Sequence, residues 1–175
     1  MRRLVENAVR LTDAFGSTVF CAATLLGTKV TYCHLGDVQL LILRYNDAVR
    51  QFETVHATSP LYMDTLINGV RAPRQVTVYH KEHRTPAAVR DIMSHAVFGA
   101  VEVEHNDMVI VYSDGVGDNV TIDSIRGYVN NQRRPWAYRP QDVAEGIMQH
   151  VCDMRHRWVK PDDMSVFVGK VCRWS

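Results

Sequence analysis

No run of this chain stays apolar for the ~20 residues that a bilayer-spanning helix requires, because polar residues or glycine interrupt each hydrophobic stretch within about ten. A helical membrane span is therefore not expected. An excess of charge is also lacking: 20 Lys and Arg stand against 19 Asp and Glu, a formal net charge of +1. That balance advertises neither a polyanion-binding surface nor an acidic disordered tail. Cysteine is scarce. The chain has 4 (Cys21, Cys33, Cys152 and Cys172), with no CxxC or zinc-ribbon spacing, which favours reduced, mostly buried thiols. Internal repeats and low-complexity tracts are missing too. What is present is 175 residues with 46% hydrophobic content, enough for one domain over residues 1–175 with a substantial core.

Periodicity places the elements. Leu4, Ala8, Leu11 and Phe15 recur at helical spacing, so residues 3–14 should form an amphipathic helix ending near Gly16. "STVFCAATLL", "KVTYCHL", "VQLLILRY" and "VRQFETV" are β-rich runs punctuated by "GT", "GD" and "ND", the pattern of an antiparallel meander. The first three are apolar on both faces and so must be covered on both sides. Residues 57–98 are the least legible part, although "TPAAVRDIMSHA" reads as a helix with Thr85 as its cap and Pro86 in its first turn. "GAVEVEHNDMVIVYS" reads as two strands joined at "HND". "TIDSIRGYVNN" and "PQDVAEGIMQHVCDM" read as helices, the second with Val143, Ile147 and Val151 on one face, and "MSVFVGKVC" closes as a strand. The order implies an α+β fold with antiparallel sheets.

Aspartates stand beside these apolar strands: Asp37 in "CHLGDVQLLI", Asp114 and Asp118 in "YSDGVGDN", Asp162 and Asp163 in "KPDDMSVFVG". Carboxylates that converge repel one another unless a cation lies between them, and Mg²⁺ and Mn²⁺ prefer oxygen ligands with several waters retained. Glycine beside the acid, at Gly36 and Gly115, permits close approach without a Cβ. Each pair alone also fits an ordinary turn, since Asp and Gly favour turns for local reasons.

Taken in order, "GSTVFCAATLLGTKVTYCHLGDVQLLILR", "DMVIVYSDGVGDNV" and "KPDDMSVFVGKV" resemble the later motifs of the metal-dependent protein phosphatases of the 2C type, over about Phe15 to Val171. "SDGVGDNV" and "KPDD" are most similar to a short branch typified by a mitochondrial matrix phosphatase. The resemblance implies an antiparallel β-sandwich flanked by helices, two Mn²⁺ or Mg²⁺ ions in a cleft, and hydrolysis of phosphoserine and phosphothreonine on phosphoproteins. It implies that Asp114 and Asp162 belong to the metal centre, and that Asp37 and Asp118, with Asp114, resemble ligands of an additional, weaker ion. Gly115 and Asp163 would support these ligands from behind, Asp163 taking a position often held by Asn.

The chain also departs from that family. Upstream of "GST" the family carries an Arg for the substrate phosphate, an acidic residue and an Asp-Gly pair whose aspartate bridges both ions; this sequence has none of them, and Val38 stands where Ser often follows Gly-Asp. The expected fold is thus incomplete at its N-terminus. Three readings follow: the C-terminal portion of a longer enzyme, a chain completed by another polypeptide in a larger assembly, or a catalytically inactive relative kept for a structural or binding role.

His80 and His83 in "YHKEH" have i,i+3 spacing, but no second ligand pair stands near them, so a solvated loop is expected rather than zinc. "NNQRRPWAYRP" has the composition of a docking loop or a single-stranded nucleic-acid contact, yet a surface connection between helices is the expectation, without direct nucleic-acid readout. An intracellular, soluble protein is expected. The basic, amphipathic start and the subgroup likeness leave a mitochondrial placement open.

Overall fold

A computed structural model describes residues 1–11, 17–67, 70–75, 78–79, 86–133, 135–154 and 162–172. In chain order its first elements are α1 (Arg2–Leu11), β1 (Ser17–Thr18), β2 (Phe20–Leu26), β3 (Lys29–Leu35), β4 (Gln39–Asn46), β5 (Gln51–Ala57), β6 (Tyr62–Ile67), β7 (Val70–Gln75) and β8 (Val78–Tyr79). There follow α2 (Pro86–His95), β9 (Val97–Glu102), β10 (Met108–Tyr112), α3 (Asp114–Gly117), α4 (Ile122–Asn130), α5 (Pro140–Asp153) and β11 (Val166–Lys170). These gather into two compact units, each drawn from two stretches of chain: Met1–Val38 with Ser59–Glu102, and Gln39–Thr58 with Val103–Ser175.

The first unit holds a three-stranded antiparallel sheet in the order β2-β3-β9, with α1 and α2 beside it. Two core clusters form where helix residues meet alternate strand residues: Val5, Val89 and Met93 with Cys33, and Ile92 with Leu35. The helix does form where expected but turns a different face inward. Val5 is buried, with Met1 and Val9 packed beside it, while Leu4 and Leu11 are 64% and 74% exposed. Met1, Val5 and Val9 form a second i,i+4,i+8 stripe next to the Leu4–Ala8–Leu11 stripe, and two apolar stripes cannot both face one sheet. The expectation that β2 is covered on both faces also fails. From Ala23 to Leu26 it is exposed, because β2 is an edge strand and β3 is the central one. Among the described residues β6 and β7 pair only with each other, and β1 only with β8.

The meander breaks at "GD". β3 and β4 do not pair; they belong to different sheets. Gly36 sits at φ 89°, a conformation that residues bearing a Cβ rarely adopt, and its carbonyl accepts from Leu61 N–H at 2.8 Å. This bend takes the chain out of one sheet and into the next.

The second unit carries a four-stranded antiparallel sheet, β11-β10-β4-β5, with α4 and α5 packed on one face. Leu41 and Leu43 of β4, Met108, Ile110 and Tyr112 of β10, and Val168 of β11 face those helices at strand period 2. From the helices come Ile125 and Val129, and Val143, Ile147 and Val151 at the expected i,i+4,i+8 spacing. Thr121 caps α4 by accepting from Ser124 N–H at 3.1 Å, and Pro140 opens α5 where its missing N–H costs nothing. The 130–140 connection is structural: Pro135 and Tyr138 are buried, and the Tyr138 hydroxyl donates to the Asp107 carbonyl at 3.0 Å. Phe15, Gly16, Thr85 and the His80/His83 pair lie outside the described residues.

Candidate functional site

The second unit brings two aspartate-bearing segments together at one end of the β10/β11 ladder. β10 pairs with β11 through Tyr112↔Val166, and the pairing runs one step further: Ser113 N–H donates to the Ser165 carbonyl at 3.0 Å. Ser165 N–H in turn donates to Ser113 Oγ at 3.0 Å, while that hydroxyl donates to the Asp163 carbonyl at 3.3 Å. One serine therefore fastens the end of β10 to the segment before β11. Antiparallel register then brings Asp114, just after β10, beside the segment holding Asp162 and Asp163, although 48 positions separate Asp114 from Asp162 (162 − 114).

Gly115 makes this approach possible. A Cβ built there would run into the Asp163 carbonyl oxygen and lie 2.9 Å from its carbon, so any side chain would push the two segments apart. Close approach was expected at this glycine; its partner is backbone carbonyl. Gly117 has a related role, since a Cβ there would meet the Gln39 amide nitrogen at 2.5 Å. Gln39 is buried opposite Tyr112 and accepts from its hydroxyl at 3.3 Å, and burial pushes the Tyr112 phenol up to about 12, so it keeps its proton.

Asp114 opens the short helical turn α3. Its Oδ1 accepts from Gly115 N–H at 2.8 Å and its carbonyl from Asp118 N–H at 2.7 Å. Asp118 lies four residues on, hence on the same face of the turn, and Asn119 Nδ2 closes it by donating to the Gly115 carbonyl at 2.6 Å. Asp162 is held likewise, its Oδ1 accepting from Asp163 N–H at 2.9 Å. Asp114 is half-buried, whereas Asp118, Asp162 and Asp163 are exposed. Asp37 is placed differently: it belongs to the first unit, follows the Gly36 bend and is only 5% exposed.

Two residues escaped the sequence reading. Ser113 stood inside a quoted motif without a role, and its signal was available: a hydroxyl at the last position of a strand, immediately before an Asp-Gly turn. Gln39 gave a weaker signal, a polar residue opening an otherwise apolar strand.

Asp114, Asp118, Asp162 and Asp163 offer carboxylate oxygens, which suit a hard dication. Their number is small. Among the described residues no group of three His, Cys, Asp or Glu side chains is placed to hold a metal ion. Mg²⁺ and Mn²⁺ can be held by one or two carboxylates with waters completing the shell, so Asp114 and Asp162 fit one ion. They do not by themselves balance the four positive charges of two ions.

No protein-family model matches the sequence, and no curated protein sequence matches it. Solved structures do match. The photosystem II phosphatase PBCP aligns with 97% of this chain at a TM-score of 0.67 and 17% identity, the match covering 70% of that protein. The phosphatase domain of the cell fate determinant SpoIIE from Bacillus subtilis aligns with 99% of this chain, at a TM-score of 0.55 and 15% identity, over 66% of its own length. The catalytic domain of the serine/threonine protein phosphatase PstP, solved with two manganese ions, aligns with 97% of this chain at a TM-score of 0.53 and 17% identity, over 66% of its own. The chain thus spans 66 to 70% of the lengths of these three structures. At such identities it is the architecture that is shared, and the chain has the protein phosphatase 2C-like fold: α+β, with antiparallel sheets flanked by helices.

Proposed function

We propose that this chain carries the C-terminal part of the machinery of a metal-dependent protein serine/threonine phosphatase, with Asp114 and Asp162 as ligands of a Mn²⁺ or Mg²⁺ ion. What supports the reading is that Asp114 and the segment holding Asp162, far apart in sequence, lie beside each other at the joined ends of β10 and β11, where Gly115 admits no side chain. Asp118, one turn from Asp114, is proposed as a ligand of a weaker ion. A bound dication would supply charge stabilisation for the phosphoryl group and lower the pKa of a bound water towards neutrality.

The chain's own groups have definite parts in this reading. Gly115 and Asp163 N–H hold one oxygen of Asp114 and Asp162 respectively, which fixes the orientation of each carboxylate before any ligand arrives. Ser113 holds the two segments in register. The substrate class proposed is phosphoserine and phosphothreonine in proteins, because the structural neighbours PstP and SpoIIE are named as phosphatases of that kind or as phosphatase domains. Phosphate monoester hydrolysis is so slow uncatalysed that accelerations of up to ~10²¹ are known, and carboxylates alone repel the substrate; cations have to offset them.

A second reading has its own support. The absence of a three-residue ligand group among the described residues favours a binding or structural role without turnover. Mn²⁺-dependent release of phosphate from a phosphothreonine peptide separates the two. The enzyme reading expects release that requires Mn²⁺ and disappears in Asp114→Ala. Absence of Mn²⁺ binding by paramagnetic resonance, together with no release, sinks it and leaves the binding role.

A further inference from the structure

The two ends of the short turn α3 are held by different parts of the second unit. The near end, with Asp114, is fastened to the segment before β11: Ser113 N–H donates to the Ser165 carbonyl at 3.0 Å, Ser165 N–H to Ser113 Oγ at 3.0 Å, and Gly115 stands against the Asp163 carbonyl. None of these contacts involves β4. The far end does. Gly117, the residue before Asp118, lies over the last cross-strand pair of β4 and β10: a Cβ built on it would be 2.5 Å from Gln39 Nε2, 3.3 Å from Tyr112 Cε2 and 3.7 Å from Gln39 Cδ.

Gln39 is itself fixed. It is 9% exposed, and its Oε1 accepts from the hydroxyl of Tyr112, its partner across the ladder, at 3.3 Å. Tyr112 is 2% exposed within the core that α4 and α5 cover, so close packing keeps the phenol in place behind the amide. With its oxygen turned to the phenol, the amide presents its nitrogen to α3. The backbone of the turn comes closer to that nitrogen than a Cβ would permit, which is why a glycine stands at 117. Val116 and Val120 tie the turn to the core. About that tie, Gln39 limits how far the Gly117–Asp118 side can tilt towards the sheet. The backbone bonds of this end, from Asp118 N–H to the Asp114 carbonyl at 2.7 Å and from Asn119 N–H to the Val116 carbonyl at 3.0 Å, lie within the turn and its exit, so they shape it without setting its height.

We propose that Gln39 is a positioning residue for Asp118: its amide, backed by Tyr112, sets where the far end of α3 lies, separately from the β10/β11 junction that sets Asp114 at the near end. Two carboxylates four residues apart thus have independent supports. For the metal ions this step rests on the ligands proposed above. Given those ligands, the affinity for the weaker ion at Asp118 can change while the ion of Asp114 and Asp162 is left alone.

Amide exchange on the full chain without metal tests the support itself. In Gln39→Ala the Gly117 and Asp118 amides, which bond to the Ser113 and Asp114 carbonyls inside the turn, should exchange roughly tenfold faster, while Ser113 and Ser165 keep their wild-type rates. An equal change at both pairs, or none, overturns the proposal whatever the metal does. Mn²⁺ titration followed by paramagnetic resonance tests the consequence. Gln39→Ala and Gly117→Ala should each weaken the weaker ion roughly tenfold and leave the tighter one within about twofold. The double variant should recover most of that loss, because the added methyl takes the space the amide vacates; a fold that is merely destabilised would show no such recovery. Additive losses overturn the proposal. Should Gln39→Ala fail to fold, Gly117→Ala carries both readouts from the other side of the contact. A wild type that binds no Mn²⁺ sinks the ligand assignment alone, and the exchange pattern then decides for or against Gln39 as the support of the turn.

Discussion

Two kinds of aspartate stand in the second unit, and the difference between them separates scaffold from site. Asp107 is fully buried and completely served by the protein. Arg44 donates to it from Nε at 3.0 Å and from Nη2 at 2.8 Å, and Glu104 N–H adds a third bond at 2.8 Å. The bond to Asp107, more than any other cause, holds the Arg44 guanidinium above its usual range. Asp114 and Asp162 sit nearer solvent and are each held through one oxygen by the next amide. A carboxylate neutralised by an arginine fork holds strands together, whereas Asp114 and Asp162 are the carboxylates proposed as ligands of a metal ion.

The largest effect should fall on the buried member. Asp107→Ala leaves the Arg44 charge half-buried without its fork and should cost about 3–5 kcal/mol, read as a lower urea midpoint at unchanged slope. A loss below about 1 kcal/mol would mean that burial does not distinguish the two kinds. Next is the ligand effect. Mn²⁺ at about a hundred times its dissociation constant should stabilise the wild type by ~2.7 kcal/mol. Asp114→Asn and Asp162→Asn should remove that gain while changing metal-free stability by no more than about 0.5 kcal/mol. Were either to unfold the protein without metal, it would belong with Asp107.

Gly115→Ala sharpens the contrast from the backbone side. The added methyl meets the Asp163 carbonyl, and the strain should cost roughly 1–3 kcal/mol together with the Mn²⁺ response, since the two segments must separate. The smallest effect concerns burial without a counter-charge. In the first unit burial pushes the Cys21 and Cys33 thiols up to about 11, so at pH 8 both stay protonated. A thiol reagent at that pH should modify exposed Cys152 and Cys172 first, with Cys21 and Cys33 catching up only as the pH approaches 11. Equal rates for all four would contradict this account of burial.

Legibility followed how many constraints each segment obeys. α5 could be read because Val143, Ile147 and Val151 must face one sheet; β10 because Met108, Ile110 and Tyr112 alternate against the same core. α1 was readable as a helix but not in its orientation, since Leu4 and Val5 begin competing apolar stripes and the choice between them lies in what Cys33 and Met93 offer. β6 and β7 were not readable. Among the described residues they pair only with each other, so neither needs the alternation that a sheet with one covered face imposes. The site showed the same division: Asp114, Asp118 and Asp162 were named from their motifs, whereas Ser113 and Gln39 act through partners 50 or more positions away and carry no local pattern.

Sequence by itself determined most elements outside residues 57–98, the apolar faces of α5 and β10, and which acidic residues stand at strand ends, because period and turn chemistry are local properties of the chain. Tertiary structure decided that β3 and β4 part company at Gly36, that Arg44 grips Asp107, and that the segments carrying Asp114 and Asp162 come together at the end of the β10/β11 ladder. Those outcomes depend on which distant backbone groups pair, and pairing is set by register between strands rather than by any residue's neighbours in sequence.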